Sequence, residues 1–344
     1  MPKRINNFFK SKIKFKKMMK AYQRTARNKR STKEVILFEM DLASNLISIL
    51  NDIYYGRYRV GKYKTFTISI PKCREVKTLP FRDRVVHQWY VEELVKPIFL
   101  PKFIKDSYAC LKNKGAHRAV FSLQKYMKNL HKMNPDFYVL KCDIANYFYT
   151  IDKIILLRIL SRYIKDREFL SFTRTILFDN DSSNVGIPIG NYTSQFFANI
   201  YLNELDHYVK EQLGVKYYVR YMDDFVLLLN TKQEAIEMKN KMEVFLRDKL
   251  HLSFNKKTNY FKNKQGVNFC GYKIFIDKIL LRASSKKKIY KRIKGWQREY
   301  YNGTLDCKKT CKTLSSWQGY AKHANTKNLM NSIYQKCEWI YVPK

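Results

Sequence analysis

Acidic residues are scarce in this 344-residue chain: 29 Asp and Glu stand against 67 Lys and Arg, a formal net charge of +38. That imbalance excludes an ordinary neutral enzyme and predicts a polyanionic partner, nucleic acid first and an anionic membrane surface second. Long apolar runs are missing as well. No stretch of about 18 apolar residues is free of charge, and the richest run, 144–160, is broken by Asp152, Lys153 and Arg158, so no transmembrane helix is expected. The N-terminus, MPKRINNFFKSKIKFKK, lacks an uninterrupted apolar core and a small-residue cleavage site, so no secretory signal is expected either, and the protein is placed in the cytoplasm. Cysteine is limited to seven scattered residues, an odd number that argues for reduced thiols rather than a disulfide framework. Cys307 and Cys311 resemble half of a metal site, but no neighbouring Cys or His pair completes it. Repeats and low-complexity linkers are absent.

What the chain does have is apolar substance. At 45% hydrophobic and 15% aromatic residues it can bury a large core, so its charge sits on a folded body. Residues 1–33 hold 13 Lys and Arg and no acid; they form a basic arm, either a solvated tail or, with Phe8, Phe9, Phe15 and Tyr22 interleaved, a phosphate-contacting segment. Apolar spacing predicts helices over 35–49, 83–99, 115–130, 153–164, 167–177, 194–213 and 232–250. A strand is predicted over 65–70 before Pro71, another over 137–142, and a strand pair around 252–260 and 267–276. A basic helical segment follows, with 12 Lys and Arg against Glu299 and Asp306 in 278–312. The whole reads as a compact α+β body with basic helical ends.

Two places carry chemistry. FYVLKC at 137–142 is a short buried strand that delivers Asp143 at its exit, a position typical of sites in sheets. VKYYVRYMDDFVLLL at 215–229 has two apolar arms around Met-Asp-Asp and reads as a β-hairpin with acids at its tip. Adjacent carboxylates between apolar arms are costly, and a divalent cation offsets that cost. Hard oxygens suit Mg²⁺, which binds through one or two carboxylates plus substrate phosphates, and Mn²⁺ accepts the same ligands. A bare Asp pair is more often a solvated turn and a lone Asp143 serves as well for a helix N-cap; the apolar flanks and basic charge favour the metal.

These residues resemble a reverse transcriptase. The resemblance rests on YMDD at 221–224, preceded by KCDIANYF at 141–148 and followed by FCGY at 269–272, and it extends from about residue 56 to about 335. It implies an α+β right-hand polymerase fold: the basic arm at 1–33, fingers with the start of the palm at 34–142, the palm at 143–276 and a helical basic thumb at 277–344. It implies catalysis by Asp143, Asp223 and Asp224, two metal ions held at Asp143, Ile144, Asp223 and Asp224, and activation of a 3′ hydroxyl against a triphosphate. Phe148, five residues after Asp143, matches the aromatic steric gate that excludes a 2′ hydroxyl, although a core aromatic would look the same. Arg74 matches the fingers arginine on the incoming triphosphate, with Lys72 and Arg82 as further candidates, and Lys257 matches a lysine that helps pyrophosphate leave. Phe269, Cys270, Gly271 and Tyr272 match the primer grip. Lys286, Lys287, Lys288, Lys291 and Arg292 would track the nucleic-acid backbone from the thumb.

One departure narrows the resemblance. Where most reverse transcriptases have QGxxxSP, this chain reads IGNYTSQ at 189–195, so that Ile189, Gly190 and Gln195 stand at the nucleotide-binding positions. This variant is similar to the enzymes of diversity-generating retroelements, which copy a template-repeat RNA while misreading adenines. Gln at 189 would hydrogen-bond near the nucleotide sugar; Ile cannot. The resemblance further implies a structured template RNA and cDNA as partners, with a small basic accessory protein, single or oligomeric. The residues after 276 suffice for a thumb and are too few for a ribonuclease H, integrase, maturase or endonuclease domain. The alternatives are an antiphage or retron-like enzyme copying its own non-coding RNA, and an RNA-binding scaffold with vestigial acids. The three intact aspartates argue against the scaffold.

Overall fold

A computed structural model describes residues 4–68, 73–178 and 183–337. From the N-terminus come α1 (Phe9–Lys12), α2 (Phe15–Ala26), α3 (Lys33–Met40) and α4 (Leu42–Tyr54), then the antiparallel pair β1 (Lys64–Ile68) and β2 (Arg74–Thr78), then α5 (Phe81–Trp89) and α6 (Lys96–Phe99). The single helix predicted over 35–49 is thus two helices with a break at Asp41. That predicted over 83–99 widens into a π-helical turn at Tyr90–Val95 before Pro97 in the first turn of α6. Proline lacks the N–H of an α-helical ladder and its ring crowds the carbonyl one turn back, which the wider turn relieves.

Next are α7 (Ala116–His131), β3 (Tyr138–Asp143), α8 (Tyr147–Thr150), α9 (Lys153–Ser161), α10 (Arg167–Phe178) and α11 (Tyr192–His207). The hairpin β4 (Tyr217–Tyr221) and β5 (Asp224–Leu229) leads into α12 (Lys232–Leu250). After it come β6 (Asn259–Lys262), β7 (Val267–Phe269), β8 (Tyr272–Ile274) and β9 (Ile279–Leu281), and finally α13 (Ala283–Tyr301), α14 (Cys307–Ala321) and α15 (Lys327–Gln335). The predicted pairing of 252–260 with 267–276 does not form. Instead 267–276 is itself a hairpin joined by β9, and β6 pairs with β3. Strands of three residues carry too little alternation for periodicity to divide them. Among the described residues, no helix is long and apolar enough to cross a membrane.

The chain divides into two compact units, one of residues 1–110, 143–214 and 240–257, the other of 111–142, 215–239 and 258–344. In the first, Phe9 and Tyr22 of the N-terminal segment turn inward while Phe15 stays exposed. Phe9 packs on Trp89 and Phe172 (6.1 and 5.3 Å between centroids), and Met18, Ala21, Tyr22 and Ala26 bury one stripe of α2 while its lysines face out. Asp166 clamps this segment. Its carboxylate accepts from the N–H groups of Phe8 (2.8 Å) and Phe9 (3.0 Å), and also from Phe169 in the first turn of α10 (3.1 Å).

In the second unit a sheet of order β4-β5-β3-β6 lies against α7, whose buried Val120, Leu123, Met127 and Leu130 have the predicted helical spacing. A second sheet, β7-β8-β9, adjoins three C-terminal helices closed over a small core of Ile289, Ile293 and Ile333.

Candidate active site

The β4–β5 hairpin turns in two residues, Met222 and Asp223, with Tyr221 facing Asp224 across it. Met222 has φ +58, a left-handed conformation that a side chain adopts at a cost. Arg220 helps hold it: the guanidinium is fully buried, and its Nη1 donates to the Met222 carbonyl at 3.1 Å. The tip is therefore pinned from beneath, and it leaves the carboxylates of Asp223 and Asp224 half-exposed. Next to β5 in the sheet runs β3, whose last residue is Asp143. Lys141, two residues earlier and on the same strand face, makes an ion pair with Asp224. Sequence reasoning passed over Lys141 and Arg220, although each was visible as a charge inside an otherwise apolar strand.

Beyond Asp143 the chain bends through Asn146, again left-handed at φ +46, into α8. The Asp143 carbonyl accepts from Asn255 N–H at 2.8 Å, and the Asn255 side chain accepts from the N–H of Lys257 at 3.1 Å. Lys257 is exposed, and Ile144 is buried in a bridge to Phe254.

The predicted nucleotide-binding residues of the first unit are joined through their backbones. The half-buried Phe148 accepts at its carbonyl from Ile187 N–H (2.8 Å), and Ile189 accepts from Lys77 N–H on β2 (2.9 Å). Gly190 has φ +119, and a Cβ there would stand 2.6 Å from the Lys77 carbonyl, so only glycine fits between loop and hairpin. Asn191 donates to Tyr63 Oη at 2.7 Å, and Gln195 accepts from the Cys110 thiol. Arg74 is exposed at the start of β2. Arg82 turns away to Asp52 at 2.6 Å and lies over the Tyr58 ring, which commits its guanidinium to packing. Lys72 falls outside the described residues.

The turn of the β7–β8 hairpin is Cys270–Gly271, both left-handed at φ +45 and +89. Phe269 and Tyr272 on either side are buried. Tyr320 of α14 locks this turn: its hydroxyl donates to the Gly271 carbonyl at 2.5 Å, and Tyr272 donates to the Tyr320 carbonyl at 2.8 Å. Lys141 Nζ lies 6.0 Å from the Phe269 ring centre. Burial pushes the Cys270 thiol up to about 12; Asp224 adds to the shift, while Lys141 and Arg282 oppose it. On α13, Lys287, Lys288, Lys291 and Arg292 are exposed and Lys286 is half-exposed, opposite the buried Ile289 and Ile293.

Among the described residues, no three His, Cys, Asp or Glu side chains form a metal-holding group. The donors on offer are carboxylate and backbone oxygens, with neither imidazole nor thiolate at the hairpin tip. That chemistry fits a hard divalent cation, which needs only one or two carboxylates when phosphates and water supply the rest.

Residues 64–274 match the family described as reverse transcriptase (RNA-dependent DNA polymerase). Protein YkfC of Escherichia coli K12 is 23% identical over 280 residues, covering 69% of this chain and 73% of YkfC. The retron Ec73 reverse transcriptase of Escherichia coli is 28% identical over 235 residues, covering 61% of this chain and 71% of the retron enzyme. Among solved structures, an apo telomerase from Candida tropicalis aligns over 70% of this chain and 60% of its own length, with a TM-score of 0.48 and 12% identity.

Proposed function

This chain belongs to the reverse transcriptase family and is an RNA-directed DNA polymerase of the α+β right-hand fold; from that premise we propose the parts its residues play and the element it serves. Asp143, Asp223 and the Ile144 carbonyl are the groups that would hold Mg²⁺, supported by the oxygen-only donors and by β3 lying beside β5. When bound, divalent cations would favour the ionised 3′ hydroxyl and offset charge on the departing pyrophosphate. Lys141 pairs with Asp224, and Asp223 is assigned as the carboxylate of the pair that takes the metal. Arg74 and Lys257, both exposed, meet the triphosphate. Phe148 excludes the ribose 2′ hydroxyl, and the Phe269–Tyr272 turn supports the primer end. In domain terms the proposal keeps fingers at 34–142, palm at 143–276 and thumb at 277–344.

Within the family we assign the chain to mutagenic copying of a template RNA by a diversity-generating retroelement, working with a small basic accessory protein. One observation carries this reading. Ile189 sits in a loop tied by its own carbonyl to Lys77 and followed by a glycine that admits no Cβ. The backbone there is held, so what residue 189 offers a nucleotide depends on its side chain, and an aliphatic one offers no hydrogen bond. The retron match favours a second reading, a retron-like enzyme copying its own non-coding RNA.

The test is to give the purified protein RNA template, deoxynucleotides and Mg²⁺, with any accessory protein encoded beside it, and to sequence the cDNA. Errors concentrated opposite adenines, and reduced by Ile189→Gln, are expected. Uniformly accurate cDNA overturns the mutagenic reading in favour of the retron-like one. Asp223→Ala should keep RNA binding while losing incorporation; continued incorporation would remove the metal assignment.

A further inference from the structure

Two tyrosines at the end of α4 are exposed where burial would have been favourable. Tyr54 is 51% and Tyr55 65% exposed, and their rings meet edge to face at 5.2 Å and 85°. The backbone behind them fixes this display. Gly56 turns left-handed at φ +68, its N–H donates to the Ile53 carbonyl (3.2 Å), and the N–H groups of Arg57 and Tyr58 donate to the Asp52 carbonyl (2.8 and 3.0 Å). The Asp52 carboxylate is held in turn by Arg82. A cavity of about 290 Å³ opens beside the rings, with Phe9, Tyr58, Ser171, Phe172 and Thr175 among its lining. Lys10 Nζ lies 5.5 Å from the centre of the Tyr54 ring, and the Arg57 guanidinium 5.0 Å from that of Tyr55.

We propose that this pocket receives an unpaired base of single-stranded RNA, stacked in the corner of Tyr54 and Tyr55, with a flanking phosphate met by Arg57. Every base has a π-face that an aromatic ring can take irrespective of sequence, and a cation beside the ring adds charge attraction to the backbone. A base face is open to such a pocket only when the base is unpaired and unstacked. An acidic peptide would use the guanidinium and leave the aromatic corner idle. The inference goes beyond the polymerase reading and does not depend on it, since no catalytic acid takes part.

The experiment uses the full chain and a short single-stranded RNA containing 2-aminopurine, with a blunt RNA duplex of equal length and an oligoglutamate as competing ligands. Replacing both tyrosines by alanine should weaken single-strand binding about tenfold, the order of one lost base stack. Replacing both by phenylalanine should leave it within about twofold, because the rings remain. Duplex affinity should be the same in all three proteins. Unchanged single-strand affinity in the alanine variant overturns the proposal. So does an equal loss for the duplex, which would mark a general phosphate patch, or displacement by oligoglutamate that depends on the two rings, which would mark an acidic-peptide site. If the alanine variant loses its thermal transition, Arg57→Gln carries the test, with about a threefold loss expected for the single strand alone and an unchanged affinity again overturning the proposal.

Discussion

The two ends of the chain carry similar loads of positive charge and use them differently. In the N-terminal segment several cations meet acids of the same unit: Lys10 reaches Glu168 (2.6 Å), Lys17 reaches Glu93 (3.1 Å) and Arg24 reaches Glu92 (3.3 Å). In the C-terminal helices the only acids among residues 283–337 are Glu299 and Asp306, and Asp306 is occupied as the N-cap of α14, accepting from Lys309 N–H at 3.0 Å. The positive load is similar at both ends; the supply of nearby carboxylates from elsewhere in the fold is not. Cations already neutralised by the protein release few counterions when RNA arrives, whereas exposed lysines on α13 release many.

The sharpest way to break this comparison is at the acid that anchors the N-terminal end. Asp166→Ala removes the acceptor of three backbone N–H groups, two of them on a segment more than 150 residues away in sequence. A loss of about 3 kcal/mol in denaturant unfolding is expected, with fast hydrogen exchange confined to the first 26 residues at low denaturant. Next in size, replacing Lys287, Lys288 and Lys291 together by glutamine should weaken RNA binding and flatten its salt dependence by roughly two units of logarithmic slope. The same treatment of Lys17 and Arg24 should cost stability and leave the salt slope nearly unchanged. A slope that changes equally at both ends would erase the distinction.

A pH effect also belongs to the N-terminal unit. Burial lowers His87 to about 3, and its ring meets the Thr193 hydroxyl at 3.0 Å. The unfolded chain binds that proton near the ordinary value of 6.5 and the folded chain only near 3. The stability contributed by the neutral ring is therefore complete above about pH 6.5 and is lost as pH falls towards 3, at up to about 1.4 kcal/mol per pH unit. Urea midpoints at pH 7 and 5 for the native chain and for His87→Gln should differ in slope accordingly; parallel lines would remove His87 from the account. The smallest effect is expected at Asp306→Ala, about 1 kcal/mol and local to α14, since that carboxylate caps only its own helix.

Much of the site was legible because its chemistry sits in elements with strong periodicity. The apolar arms of 215–229 declared a hairpin, and FYVLKC declared the strand that ends on Asp143. Helices 115–130 and 232–250 were equally readable from their spacing. What escaped was tertiary. Nothing local in NNFFKSK says that Phe9 finds Trp89 and Phe172, or that Asp166 waits for the N–H groups of Phe8 and Phe9. Lys141 and Arg220 were seen as part of basic composition, yet each has a specific acceptor, and only the pairing of strands and the geometry of a turn reveal it. Arg82 was grouped with Arg74 by proximity in sequence, while the helix points it at Asp52.

Three turns beside the proposed centre place a residue with a side chain, Asn146, Met222 and Cys270, in a backbone conformation that glycine would occupy more comfortably. Such positions cost of order 1 kcal/mol each. Five more such residues, Asn7, Asn28, Cys110, Asn113 and His251, lie elsewhere among the described residues, so what sets these three turns apart is the chemistry assigned beside them. A library of this gene selected only for heat resistance should drift to glycine at 222 and 270, and the survivors should be sturdier proteins and poorer polymerases.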